Sequence, residues 1–194
     1  MMILVSAVVS SDVAFVLGGA KTLEEDIATA KELAVPHTYI ATNETGRDFD
    51  GHLPHWCTLH TEKITDWYRQ RIVGQGEINI GQLWTSNIKT LPNNELIKPK
   101  DFRHVQSWDG SSGLLGVTVA LALGYSKVIL CGVPLDKKAG HYFSPDIPWM
   151  DGPRYRHAWI KHFPEMKDRV KSMSGWTQSL LGAPTKEWIK SCTR

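Results

Sequence analysis

The chain has 194 residues, of which 22 are Lys or Arg and 20 are Asp or Glu, so its formal net charge is +2. This length fits one domain, or one domain with an appendage, and excludes a large multidomain enzyme. An apolar fraction of 42% excludes general disorder. The nearly balanced charge gives no strong signal for nucleic acid or for a membrane surface as partner.

Cysteine usage and hydropathy bear on the compartment. Cys57, Cys131 and Cys192 are few and scattered, without a CxxC pair, which favours a reducing cytoplasm over a secreted disulfide framework. The apolar residues 1–19 contain no basic residue before the apolar stretch, so we do not expect a signal peptide. The apolar stretch 114–135 is divided by a Gly-Tyr-Ser-Lys segment, which predicts a helix and a strand instead of a membrane span.

Short apolar runs alternate with helical patterns along the chain, as in strand-helix units that build a parallel sheet. Strands are predicted at Val13–Leu17, His37–Ala41, Trp56–His60, Arg103–Trp108, Lys127–Cys131 and Val170–Met173. Helices are predicted at Thr22–Ala34, Thr61–Ile72, Leu114–Leu123, Arg154–Asp168 and Thr185–Lys190. An irregular excursion with one short strand occupies residues 73–103. The pattern predicts one α/β domain over residues 1–194, with helices on both faces of a mostly parallel sheet of about five to seven strands.

Ligands of such sheets bind outside the carboxyl ends of the strands, so the loops that follow the strands are the candidate sites. The first is Gly18-Gly19-Ala20-Lys21-Thr22, whose backbone amides could cradle phosphate or ribose at the start of a helix. It lacks the spacing of a P-loop and of a dinucleotide fingerprint. A tight glycine turn without a ligand explains these residues equally well.

A second candidate loop, Asp109-Gly110-Ser111-Ser112-Gly113, precedes a strongly predicted helix. One side chain suffices to cap a helix, so its surplus hydroxyls and two glycines favour a binding loop. The strand end Thr42-Asn43-Glu44 is a third candidate, and a fourth loop, residues 132–141, carries His141 and Asp136 beyond the strand 127–131. His141 could act as a general base or pair with phosphate, and the alternative is an exposed loop histidine.

The histidine-rich stretch 52–60 contains residue types that bind metals. On a strand, however, Cys57 points to one face while Trp56 and His60 point to the other, so these side chains cannot all converge. We predict no metal site there and keep a metal-dependent hydrolase only as the weakest alternative.

The ordered set of motifs resembles a known family. Val16-Leu-Gly-Gly-Ala-Lys-Thr-Leu23 resembles a G-x-G-P-S-L loop, and Ala41-Thr-Asn43 resembles a strand end that bears an asparagine. The stretch from Ser112-Gly113 through Ala122-Leu-Gly-Tyr125 to Gly132-Val133 resembles S-G-x-x-A-x-x-L-G-Y-x-x-I-x-L-x-G-[VI]-D. These motifs, between Val13 and about His141, are those of the 6-hydroxymethylpterin diphosphokinase MptE-like family, and they are similar to those of bacterial sialyltransferases that use CMP-sialic acid.

The resemblance implies a Rossmann-like transferase that takes a small-molecule nucleotide or nucleotide-sugar donor and moves a glycosyl or diphosphate group. It implies donor contacts from Gly18, Gly19, Lys21, Thr22, Asn43, Ser111, Ser112 and Gly113, with His141 as base. No cofactor is required, although a divalent metal is compatible with this reaction. Two departures stand out: Lys21-Thr22 replaces Pro-Ser, and Pro134 replaces the family's acid, which leaves Asp136 as the nearest carboxylate. The displaced acid favours the alternative of a noncatalytic nucleotide-binding or interaction module on the same fold.

Overall fold

Seven parallel strands form one sheet in the computed structural model of the protein, which describes residues 12–33, 36–75, 79–106, 108–142, 144 and 146–191. The apolar opening segment up to residue 11 and Cys192 lie outside the described residues. The strands are β1 (Val13–Leu17), β2 (Thr38–Thr42), β3 (Leu53–Cys57), β4 (Ile80–Thr85), β5 (Phe102–His104), β6 (Lys127–Cys131) and β7 (Val170–Ser172).

The strand order is β5-β4-β3-β2-β1-β6-β7. The first described strand, β1, therefore lies in the interior of the sheet; β2 to β5 follow outward on one side of it, and β6 and β7 lie on its other side. The register pairs Leu17 at the end of β1 with Ala41 of β2 and with Cys131 of β6. The carboxyl ends of these three strands consequently lie side by side, and the order reverses at β1, where such sheets bind ligands.

Helices cover both faces of the sheet. They are α1 (Leu23–Leu33), α2 (Glu44–Asp48), α3 (Ile64–Gln75), α4 (Ser112–Ala122), α5 (Arg156–Lys161), α6 (Phe163–Met166), α7 (Gly175–Leu181) and α8 (Lys186–Lys190). Side chains alternate along β1, so Ala14 and Val16 pack in a core with α4, whereas Phe15 and Leu17 pack in a second core with α1 and α3. The result is a three-layer, Rossmann-like α/β sandwich.

The fold class predicted from the sequence is thus confirmed, and the sheet is entirely parallel. The interior strands β1 and β6 have the predicted bounds, because Val13–Leu17 and, after Lys127, residues 128–131 are apolar and buried on both faces of the sheet. The excursion 73–103 holds one complete strand, β4, as expected, while its last two residues already belong to β5.

Some predicted bounds are wrong. The single helix expected at Arg154–Asp168 is divided into a 3₁₀ turn at Gly152–Tyr155 and the short helices α5 and α6, because Pro164 in α6 cannot donate a backbone hydrogen bond to the preceding turn. The third strand begins at Leu53 instead of Trp56, because Leu53 pairs with Ile80 of β4. The short helices α2 and α7 were not predicted from the sequence.

Helix α4 lies against the sheet at Gly116. A Cβ at this position would come 2.6 Å from Cγ1 of the fully buried Val16. Only glycine therefore lets α4 approach β1 this closely, and this packing sets where the N-terminus of α4 lies at the carboxyl edge.

A pair of matched substitutions tests this packing. Gly116→Ala should lower the free energy of unfolding by about 1–3 kcal/mol, because Val16 cannot give way without overpacking the core. Gly74→Ala in α3, where a Cβ would meet nothing within 4 Å, should raise the free energy of unfolding by about 0.4–1 kcal/mol. Urea denaturation of both variants provides the measurement, and equal effects would contradict the close α4–β1 contact.

Candidate functional site

A cavity of about 640 Å³ opens at the carboxyl edge of the sheet. Its walls come from the turns that follow β1, β2, β3 and β6, and from the N-terminus of α4. This volume is in the range of small-molecule and cofactor sites. Of the residues predicted as site residues, it brings together Gly18, Gly19, Asn43, Ser111, Ser112, Gly113 and His141.

Two glycines bring the ends of β1 and β6 into contact beneath the cavity. Ala20 N donates a hydrogen bond to Gly132 O at 3.1 Å, and a Cβ on Gly18 would lie only 2.3 Å from the same oxygen. Gly132 itself has a φ of 69°, which L side chains rarely adopt. The tight glycine turn considered from the sequence is therefore present, and it forms part of the cavity wall.

The buried carboxylate of Asp26 fastens this turn to two other segments. Its Oδ2 accepts hydrogen bonds from Gly132 N at 2.8 Å, Ser174 Oγ at 2.7 Å and Thr22 Oγ1 at 3.1 Å. Burial raises the pKa of Asp26, and these hydrogen bonds oppose that rise. The carboxylate thus joins the start of α1, the end of β6 and the start of α7.

The N-terminus of α4 faces the cavity without a side-chain cap. Ser111 precedes the helix, but its Oγ accepts a hydrogen bond from Trp159 Nε1 at 3.2 Å instead of bonding to the helix amides. The carbonyl of Ser111 accepts from Leu114 N and Leu115 N. The backbone amides of Ser112 and Gly113 belong to the first turn of α4 and have no acceptor within the helix. Together with the positive end of the helix dipole, they form a site that suits an anion.

The backbone is strained around the cavity. Among the described residues, the non-glycine residues with positive φ are Asn43 at 49°, Asp109 at 51° and Leu135 at 53°. Asn43 directly follows β2, Asp109 begins the candidate loop 109–113 before α4, and Leu135 lies in the loop after β6. Strain of this kind costs about 1–3 kcal/mol per residue and clusters at functional sites.

Asn43 presents hydrogen-bond donors at this edge. His60 N donates to Thr58 Oγ1 at 2.8 Å, so the Thr58 hydroxyl directs its own hydrogen to Asn43 Oδ1 at 2.9 Å. This fixes the amide, and no described residue accepts from its Nδ2. The neighbouring Thr45 lines the cavity, is 3% exposed, and its Oγ1 has no hydrogen-bond partner among the described residues. The Asn43 amide suits a hydroxylated ligand.

His141 is held over the first glycine turn. Tyr142 N donates to Gly19 O at 3.0 Å and Lys21 N donates to Gly140 O at 3.3 Å, which attaches the two loops to each other. The imidazole lies so close to Gly19 that a Cβ there would come 2.4 Å from Nε2. Partial burial lowers the pKa of His141, which favours the neutral ring that can accept a proton.

A chain of polar contacts fixes the loop that carries His141. The Tyr142 hydroxyl donates to Asp48 Oδ2, and Arg47 binds the same carboxylate through Nε at 2.5 Å and Nη2 at 2.6 Å. Helix α2 is in turn anchored by the buried Arg71, which donates to the carbonyl oxygens of Gly46 and Phe49. The sequence patterns did not reveal this support.

Three predicted site residues lie outside the cavity wall. Thr22 uses its hydroxyl on Asp26, and Lys21 is exposed. Asp136 accepts from Arg156 Nη2 at 2.8 Å and from Trp176 N at 3.1 Å. A phosphate contact by Lys21 and a catalytic role for Asp136 stay predictions, and the Asp136 carboxylate already has two partners within the chain.

Glu44, the last residue of the candidate strand end 42–44, also lines the cavity. The cavity contains further residues that the sequence did not single out. Thr45 follows Glu44 directly, and its polarity beside a strand end is a signal that could have identified it. Trp149, Asp151 and Tyr155 come from the loop after β6 and the turn before α5, where no periodic pattern marks them. None of the described lining residues is Lys or Arg.

The described residues contain no group of three or more His, Cys, Asp or Glu side chains arranged to hold a metal ion. No helix in the described part of the chain is long and apolar enough to cross a membrane. No protein-family model, curated protein or solved structure matches the chain.

Proposed function

We propose that the protein binds a nucleotide or nucleotide sugar at the carboxyl edge of the sheet and transfers a glycosyl or diphosphate group from it. One observation carries the proposal: the uncapped N-terminus of α4, two glycine turns and a histidine of lowered pKa line the same cavity. The MptE-like and sialyltransferase-like resemblance of the motifs points to the same class of ligand.

In this proposal the donor phosphate accepts hydrogen bonds from the amides of Ser112 and Gly113. The glycines at positions 18 and 19 let the end of β6 and the imidazole of His141 pack against this turn, which completes the wall on which the donor lies. Asn43 donates from Nδ2 to a sugar hydroxyl of the donor. Binding therefore relies on backbone amides and neutral side chains.

The proposed reaction is a displacement on the donor. An acceptor hydroxyl attacks the transferred sugar carbon or phosphorus atom, and the bond from that atom to the leaving phosphate oxygen breaks. His141 takes the proton of the attacking hydroxyl, and the α4 amides stabilise the negative charge that develops on the leaving phosphate. No cofactor besides the donor is needed, and a divalent metal would enter with its phosphates.

We also propose a cytoplasmic location. Cys57 and Cys131 are buried free thiols, and burial raises the pKa of both well above the usual range. Inert, unpaired thiols of this kind suit a reducing compartment.

A thermal-shift panel tests the binding proposal directly. Nucleoside mono-, di- and triphosphates and nucleotide sugars are each added at a large excess. At about a hundredfold excess over Kd, a ligand that binds only the native state adds about 2.7 kcal/mol of stability, which raises the melting temperature visibly. If no compound of the panel shifts the melting temperature, the proposal is contradicted.

A noncatalytic binding module is the second candidate, and one observation favours it. Asp136 stands nearest to the position of the family's acid, yet it lies outside the cavity and is paired with Arg156. If that acid is essential for transfer, the chain retains ligand binding without catalysis.

Substitution of His141 separates the two candidates. His141→Ala should reduce transfer by at least about a hundredfold and leave donor affinity nearly unchanged, because a positioned general base acts on the rate. His52→Ala, which removes an exposed histidine far from the cavity wall, is the matched control and should remain fully active. Turnover of the donor found in the panel is the measurement. Binding without any transfer or hydrolysis by the wild-type protein would favour the module, and an active His141→Ala variant would contradict the assignment of the base.

A further inference from the structure

One end of the cavity carries an aromatic ring that the proposed reaction does not use. Trp149 lines the cavity and is 37% exposed. Its chain neighbours Ile147 and Pro148 also line the cavity, and Ile147 is 67% exposed, so residues 147–149 form an apolar stretch of the cavity wall. An exposed apolar surface inside a cavity is typical of a ligand contact.

The indole ring is held in place from its packed side. It stacks on Tyr155 with ring centroids 6.0 Å apart and an interplanar angle of 26°. A Cβ on Gly152 would come 3.0 Å from Trp149 Cε3, so the glycine leaves room for the ring. Arg154 lies 5.3 Å from the Tyr155 ring centroid and pairs with Asp151 at 3.1 Å. Because these contacts already hold the indole of Trp149 in place, a flat ligand ring can stack on it without an additional entropic cost for ordering the side chain.

The charge of the cavity makes such a stack important for affinity. Its described lining includes the carboxylates of Glu44 and Asp151 but neither Lys nor Arg. A phosphate bound here is held by amides and a helix dipole, without a cationic side chain. Much of the affinity for a nucleotide must therefore come from its uncharged parts.

We propose that Trp149 is the platform on which the nucleobase of the donor stacks, with the phosphate directed toward the N-terminus of α4. This inference rests on the proposed function and names the part of the ligand that this end of the cavity binds. A base buries its π face on the indole without leaving polar groups unpaired, whereas the hydroxyls of a sugar ring find few partners among Leu135, Ile147 and Pro148.

The test compares five nucleoside 5′-monophosphates (AMP, GMP, CMP, UMP and TMP) with ribose 5-phosphate, which has the same phosphate and sugar but no base. Kd values come from isothermal titration calorimetry on the full chain. The wild-type protein should bind at least one of the five more tightly than ribose 5-phosphate by about 5- to 150-fold. Trp149→Ala should remove that difference, and Trp149→Phe, which keeps an aromatic face, should retain most of it.

Met150→Ala is the matched control, because Met150 is 66% exposed, adjacent to Trp149 and absent from the cavity wall. This variant should bind like the wild type. An unchanged preference for the base in folded Trp149→Ala would overturn the platform and leave the proposed function standing. Weaker binding of ribose 5-phosphate by the same variant would also overturn it, since the indole would then contact the sugar. A wild-type protein that binds none of the five nucleotides more tightly than ribose 5-phosphate would overturn the platform, and the absence of binding by every compound of the thermal-shift panel would overturn the proposed function itself.

Discussion

The carboxylate of Asp26 is the interaction on which the geometry of the cavity depends. It is 6% exposed and accepts hydrogen bonds from three segments far apart in the sequence. By accepting from Gly132 N, the carboxylate positions the turn after β6. Gly132 in this turn contacts Gly18 so closely that neither Gly18 nor Gly132 can carry a side chain. The floor of the cavity is therefore built from backbone segments that are hydrogen-bonded to each other and to Asp26.

The remaining parts of the cavity are arranged around this floor. Gly116 brings α4 onto β1, which places the amides of Ser112 and Gly113 at the carboxyl edge. The loop that carries His141 is joined to Gly19 by backbone hydrogen bonds and to Asp48 through Tyr142. Amides, a neutral imidazole and an amide side chain thus meet in one cavity, a set that can bind a phosphate and accept a proton but offers no cationic side chain.

The parts of the fold that could be predicted from the sequence are those with a local physical signal. Strands β1 and β6 are apolar runs, and α4 is an apolar segment closed by Gly124 in the left-handed conformation. The loops at the cavity could be nominated because carboxyl ends of parallel strands share one edge. Thr22 shows the limit: its hydroxyl suits a ligand, yet Asp26, four residues later, accepts its hydrogen bond. Trp149 shows a second limit of prediction from the sequence, because its place in the cavity wall depends on packing against Gly152 and Tyr155.

The central claim is that a phosphate binds at the uncapped start of α4, and the backbone amides there report on it directly. The measurement is the ¹H–¹⁵N correlation spectrum of the labelled protein, recorded during titration with the nucleotide that stabilises it best. Hydrogen bonds to phosphate should move the amide signals of Ser112 and Gly113 downfield by more than those of other residues, and the shifts should saturate with the Kd of the nucleotide. Saturating shifts confined to other parts of the chain, with these two amides unmoved, would contradict the account.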